Sequence, residues 1–297
     1  MKKHPKLIFF SLITIYVISL SYLDRRMLKS NKSFCTWELY GNESIHKEPL
    51  EKYNDYLATE EAKKLFSLPL TYLGKGHQSV AFLSGCGDYV VKFYRFPVHM
   101  RPLGTLARPL SCLKSKRKAI EDYDRRKFDI TLQSHKLAFA ELKNESALIA
   151  THLHKTTGSV LKAHIIDPLG KNYAVDLENT VFIVQKKGEL LFPRLESLIE
   201  QKKEALAQKI IKNTVLFLQE RSANGYLDKD AMLSKNYGLI ADELFQLDTG
   251  RLEKTDHKLS AEEIKKEVVE ITESLKCWLL DKSPELYSYF SEIINTL

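Results

Sequence analysis

The chain has 297 residues and a formal net charge of +7. Hydrophobic residues make up 44% and charged residues 28%, which excludes global disorder and supplies a core for one large domain or two small ones. The basic balance suits acidic partners such as nucleotides, anionic lipids or nucleic acid, and selects none of them.

Leu7 to Leu23 is a run of 17 residues without charge, at the lower limit for a membrane-spanning helix. Lys2, Lys3 and Lys6 precede it; Asp24, Arg25, Arg26, Lys29 and Lys32 follow. Positive charge on both flanks leaves the side of the membrane undetermined. Ser19 and Ser21 form a weak small-x-small cleavage pattern, so a secreted form stays open. Residues 1–26 are therefore expected to be a membrane anchor or signal segment, and a single-pass location follows. Residues 27–67 read as a juxtamembrane linker with a leading helix, amphipathic from Glu48 to Leu65. Asn31, Asn42 and Asn144 open formal glycosylation sequons, near chance in number.

From residue 68 the pattern changes. Leu68 to Gly74, Ser79 to Leu83 and Asp88 to Tyr94 are β-type runs separated by Gly74-Lys-Gly76 and Gly85-Cys-Gly87. Such spacing predicts an antiparallel meander. Residues 96–127 read as a proline-bearing loop leading into a helix, with a basic cluster from Lys114 to Lys127. Residues 134–155 carry a helical period, Ala163 to Ile166 and Thr180 to Val184 are strand candidates, and 195–222 show the stripe of one long helix. Tyr237 to Ile240 and Leu244 to Leu247 predict a hairpin across Ala241-Asp-Glu. Residues 260–295 read as two helices broken at Pro284. The order predicts an α+β fold in two parts. Cysteines at 35, 86, 112 and 277 lack CxxC spacing, which argues against a zinc or redox dithiol site.

Two constellations carry chemistry. Around Gly74, Gly76 and Ser79, a tight turn between strands lets backbone N–H groups approach phosphate oxygens. Sixteen residues past Gly76, Lys92 sits in an apolar strand, where an ammonium is costly unless an anion or carboxylate meets it. Glu141 and Glu145 share a helix face one turn apart; Glu145 is preferred as its partner. The second constellation is Asp228-Lys-Asp230, then Asn236, then Asp248-Thr-Gly250. Hard oxygen donors suit magnesium, and a carboxylate within reach of an acceptor hydroxyl suits a general base.

In this order the features resemble the protein-kinase superfamily. The resemblance covers about residues 68–250. It implies a two-lobed protein-kinase-like fold with an N-lobe at 68–188 bearing a basic insertion, and a reduced C-lobe at 189–297. It implies ATP and magnesium as cofactors. Gly74, Gly76, Ser79, Lys92, Glu145 and Gln185 would bind nucleotide, Gln185 from the hinge after the fifth strand. Asp230 would be the base with Asp228 as its alternative, and Asn236 and Asp248 would hold metal. Departures are substantial: Ser79 replaces a glycine, Asp228-Lys229 replaces His-Arg, five residues rather than four separate Asp230 from Asn236, and Thr249 replaces Phe. No Ala-Pro-Glu follows, which favours a small molecule or a lipid-linked sugar over a protein as the acceptor, or a pseudokinase that binds a nucleotide or partner. An unrelated anchored α+β protein is the third reading. Nucleic acid is not an expected partner; membrane contact is expected through Leu7–Leu23, and the acceptor is unspecified.

Overall fold

The computed structural model describes residues 34–41, 56–97, 114–154, 156, 161–230 and 232–297, together with positions 15, 16 and 19. Apart from those three positions, the expected anchor at 7–23 lies outside the described residues, as does about half of the linker. Among the described residues no helix is long and apolar enough to cross a membrane.

The α+β class expected from the sequence is what the structure shows. A short leading helix α1 (Glu60–Phe66) is capped by Thr59, whose side chain accepts from Ala62 N at 3.2 Å. Strands β1 (Leu70–Lys75), β2 (Ser79–Leu83) and β3 (Tyr89–Tyr94) form the predicted antiparallel meander. Next come a long helix α2 (Lys114–Glu141), a single turn α3 (Lys143–Ser146), and strands β4 (Leu148–His152), β5 (Lys162–Ile166), β6 (Asn172–Asp176) and β7 (Phe182–Lys186). All seven strands join one sheet in the order β4-β7-β3-β2-β1-β5-β6. Pairing is antiparallel except between β1 and β5.

Period-2 alternation decides what each strand contributes. Val91 and Phe93 of β3 are fully buried, with Val80 and Phe82 of β2 behind them. The Phe93 ring meets Phe82 at 5.8 Å and Phe182 at 5.5 Å, so the core behind the sheet is aromatic. The other face of β3 carries Val90, Lys92 and Tyr94, which all line one cleft.

The rest of the chain is mainly helical. It comprises β8 (Glu189–Leu190), α4 (Leu191–Glu200), α5 (Glu204–Ala223), β9 (Tyr226–Asp228), α6 (Leu233–Asn236), β10 (Tyr237–Ile240), β11 (Glu243–Gln246), β12 (Leu252–Lys254), α7 (Ala261–Lys282) and α8 (Pro284–Thr296). A second core joins Ile210, Ile211, Val215 and Leu218 of α5 to Val268, Ile271 and Leu275 of α7 and Phe290 of α8. The expected hairpin forms as β10 and β11, with Ala241 and Asp242 in the left-handed region. The helix break at Pro284 also forms; Ser283 caps α8 ahead of a proline at its first position.

Three element boundaries differ from expectation. The helix expected over 134–155 starts earlier and ends at Glu141; Leu148, Ala150 and His152 then alternate into the core as β4, paired with β7. Its apolar residues had mixed a helical period with a strand period. The single helix expected over 195–222 is two, because Lys202 turns left-handed (φ 56°) and Lys203 N donates back to Leu198 O at 2.9 Å, a Schellman-type stop. Strand β6 carried no usable signal, since only Val175 in it is fully buried.

Candidate active site

A cleft of about 1000 Å³ lies between the sheet and the helical part. The turn between β1 and β2 forms its roof. Gly76 N donates to Ser79 O at 2.8 Å, closing the turn. A Cβ at Gly74 would meet nothing, and at Gly76 only Ser79 O at 3.6 Å, so these glycines leave the face of the loop open rather than relieve packing. The base of the loop is held by a residue that sequence reasoning missed. Glu38, fully buried in a 3-10 turn (Thr36–Leu39), accepts from Arg95 Nε at 2.6 Å and pairs with Lys75 at 3.4 Å. Arg95 also donates to the carbonyls of Gly76 and His77, at 3.3 and 3.1 Å. Glu38 falls in the stretch expected to be linker, and nothing in its local pattern marks it.

Lys92 reaches into the cleft from β3 and donates to Leu247 O at 2.6 Å. Burial lowers its pKa, and the Asp248 carboxylate works against that shift. Neither Glu145 nor Glu141 pairs with it. Glu141 instead accepts from Tyr226 at 2.6 Å and pairs with Lys254. Glu145 sits on α3, beyond the end of α2, so it no longer shares a helix face with Glu141. The expected Lys92–Glu145 pair is thus corrected: the carboxylate that acts on Lys92 is Asp248.

Helix α2 presents Thr131, Ser134 and His135 towards the site instead of a glutamate. Thr131 Oγ1 and Gln78 Oε1, at the loop tip, are 3.2 Å apart. Ser134 Oγ accepts from Leu252 N at 2.6 Å and bonds Thr249 O. The His135 ring is clamped between Thr249 Oγ1, at 2.7 Å, and the Tyr94 hydroxyl. Burial pushes the Tyr94 hydroxyl well up. Asp248 Oδ1 accepts from Gly250 N at 3.0 Å, which orients its carboxyl. Burial in the cleft floor opposes its charge, but Lys92 and then His135 hold its pKa below the ordinary value.

Burial pushes the His135 pKa down from 6.5 to about 4, against the pull of Asp248. An unfolded chain takes up this proton near pH 6.5, whereas the folded one resists until about pH 4. The stabilisation is therefore complete above 6.5 and is lost as pH falls. Urea unfolding at pH 7 and pH 4.5 should show wild type losing up to about 3 kcal/mol more than His135→Gln over that interval. Parallel losses in the two proteins would refute the assignment.

The loop from β9 to α6 forms the cleft's lower wall. Asp230 is exposed and lines it; Asp228 does not. Asp228 is buried and accepts from Tyr237 OH at 2.8 Å and Gln246 Nε2 at 3.0 Å, with Arg221 3.9 Å away. Its other oxygen accepts from Asp230 N at 3.0 Å. Asp228 is therefore removed as an alternative base and becomes the anchor of the loop. Asn236 Nδ2 donates to Asp230 O at 2.8 Å, and Asn236 O accepts from Leu247 N at 2.7 Å. That pair of bonds ties the Asp230 loop to the Asp248 segment.

Gln185 is corrected as well. Its amide donates to Ser146 O at 2.5 Å and Gln246 O at 3.0 Å, away from the cleft. Both faces of β7 are buried, so alternation could not reveal this. Lys187 and Gly188 line the cleft in its place. The Lys187 N–H is already used by Asp88 O at 2.8 Å. Gly188 is required: a Cβ there would lie 2.3 Å from the Phe245 ring and 2.7 Å from Leu239 O.

Among the described residues no group of three or more His, Cys, Asp or Glu gathers as a metal cage. A magnesium ion shared with phosphates needs only one or two protein oxygens. The Asp248 carboxylate and the Asn236 amide oxygen, both in the cleft lining, fit that demand.

No protein-family model and no curated protein sequence matches the chain. Solved structures do. One of WbdD matches at 15% identity over 75% of this chain and 45% of its own, with a TM-score of 0.37. Another, described as the bifunctional kinase-methyltransferase WbdD, matches at 14% over 73% and 43%, with a TM-score of 0.34. The ROP18 kinase domain in complex with AMP-PNP and sucrose matches at 10% over 75% and 72%, with a TM-score of 0.37. The chain spans less than half the length of the WbdD structures it matches.

Proposed function

We propose that the protein is an ATP- and magnesium-dependent phosphotransferase of the protein-kinase-like type, tethered through residues 7–23. The observation that carries the reading is convergence. Gly74, Gly76, Lys92, Asp230, Asn236 and Asp248, drawn from distant parts of the chain, line a single cleft.

Leu73, Ala81, Val90, Leu190 and Leu247 line the same cleft and would clasp an adenine ring. Lys92 would receive phosphate oxygens, its ammonium already delivered to the site by Leu247 O. Asp248 and Asn236 would hold magnesium, which when bound neutralises charge on the transferred phosphate. Asp230 would orient the acceptor hydroxyl and take its proton. Its position is held through its own backbone by Asp228, Asn236 and Met232. Catalysis of this kind rests on positioning and electrostatics rather than covalent chemistry.

One observation favours a second reading, a nucleotide-binding module without transfer: α2 offers Lys92 no carboxylate. Thermal unfolding with nucleotide, with and without magnesium, tests both. A nucleotide at 100 times its dissociation constant should stabilise the fold by about 2.7 kcal/mol, a rise of a few degrees at this size. Absence of any shift at millimolar ATP in both conditions would overturn nucleotide binding. A shift without release of the γ-phosphate to any acceptor or to water would select the second reading.

A further inference from the structure

Six cations and two carboxylates line the cleft. Lys75 is tied to Glu38, and Lys92 is occupied by Leu247 O beside Asp248. Lys187 stands at the Gly188 end. Lys127, Lys235 and Arg251 remain, from three separate elements: α2, α6 and the segment before β12. None of these three makes an ion pair with a carboxylate among the described residues. Lys127 rests over the Tyr123 ring at 4.6 Å, and Arg251 acts on Asp248 only through its field.

Their placement is informative. Lys235 is one residue from Asn236 and five from Asp230, on the loop that Asp228 and Asn236 pin. Arg251 follows Gly250 directly. Lys127 lies one helical turn before Thr131, which meets Gln78 at the tip of the glycine loop. Lys235 and Arg251 thus belong to the parts of the cleft that carry Asp230 and Asp248, and Lys127 stands towards the glycine-loop tip. A neutral alcohol at Asp230 would need none of them. Like charges gathered in a cleft with no partner attract an anion and repel cations. Asp230 by itself would repel an anionic acceptor, and Lys235 and Arg251 offset that repulsion.

Resting on the phosphotransferase reading, we propose that the acceptor is an alcohol that already carries a phosphate group, held by Lys235 and Arg251 with Lys127 at the rim. The phosphate can belong to a soluble metabolite or to a lipid head group.

The test uses the full chain saturated with magnesium and a non-hydrolysable ATP analogue, kept saturating in every variant. Glycerol 3-phosphate should raise the unfolding temperature further, and glycerol at equal concentration should not. The glycerol 3-phosphate effect should weaken as salt rises. Lys235→Gln combined with Arg251→Gln should weaken glycerol 3-phosphate binding at least tenfold, whereas Lys235→Arg should retain it. In a second arm, vesicles of phosphatidylcholine with phosphatidylglycerol, whose head group carries both a phosphate and free hydroxyls, should be preferred over pure phosphatidylcholine, with the preference reduced in the double variant. Tighter binding in the soluble arm assigns a metabolite; tighter binding in the vesicle arm assigns a lipid. If glycerol 3-phosphate acts no better than glycerol and the vesicles are not distinguished, the inference falls. It falls equally if the double variant behaves as wild type. If the ATP analogue itself gives no shift, the phosphotransferase reading falls first, and with it the basis of this one.

Discussion

Asp248→Asn is expected to abolish magnesium-dependent phosphate transfer, a loss of roughly 100- to 1000-fold or more, the scale seen when one preorganised electrostatic group is removed from a closed site. Nucleotide binding without metal should survive or strengthen. The two expectations share one cause. Asp248 faces the cleft as a carboxylate, kept ionised against burial chiefly by Lys92. Without metal that charge repels phosphates, and the substitution removes the repulsion. With metal the same charge is the anionic donor, and the amide replaces it poorly. Asp230→Asn should behave differently, sparing nucleotide binding in both conditions and slowing transfer, since Asp230 would touch only the acceptor. Calorimetric titration with and without chelator, followed by single-turnover transfer, separates the two variants. Intact metal-dependent binding and transfer in Asp248→Asn would end the assignment of Asp248 as the metal ligand.

Arg221→Met is expected to cost about 3–5 kcal/mol of folding stability at pH 7, the usual penalty for leaving a buried charge without its partner. That is a large part of the 5–15 kcal/mol typical of a whole domain. The Arg221 side chain is 1% exposed and stands between Asp228, also 1% exposed, and Glu267. It also bonds the Tyr237 hydroxyl and donates to Gln246 Oε1 at 3.2 Å. Burial already raises the pKa of Asp228, and Arg221 is the largest influence opposing that rise. Without the guanidinium, Asp228 would take up a proton at higher pH. The penalty should therefore shrink as the solution is acidified from pH 7 to 5. Adding Asp228→Asn to Arg221→Met should recover part of the loss, which a double-mutant cycle by urea unfolding would measure. A cost below about 1 kcal/mol at pH 7 would contradict the buried network. Transfer should slow as well, because Asp228 holds the backbone of Asp230.

How much of this site was legible beforehand depends on whether the information is local. Alternation in Tyr89–Tyr94 already places Val90, Lys92 and Tyr94 on one face, and glycines at 74 and 76 already mark an open turn. The helix starts are equally local: Ser260 with Glu263, and Ser283 before Pro284, cap α7 and α8 through bonds within four residues. These features follow from steric and hydrogen-bonding rules that act over a few positions.

Partner choice is not local. Spacing made Glu145 a fair partner for Lys92, but helical spacing says only which residues share a face, not which face turns to the sheet or where the helix stops. The structure ends α2 at Glu141 and turns His135 inward. Leu247 and Asp248, more than 150 residues further on, meet Lys92 instead. Spacing preferred Asp230 as the base and left Asp228 as the alternative; only burial between α5, β10 and α7 separates an anchor from an exposed carboxylate. Gln185 lies in a strand buried on both faces, where a period of two cannot say which neighbour receives the amide. Glu38 acquires its role only because the chain folds back over the sheet to meet Lys75 and Arg95. The sequence by itself determined most of the elements and the kinds of group available to a phosphate site. Tertiary packing decided which of those groups meet, because an ion pair or a buried network forms between surfaces whose juxtaposition no short window contains.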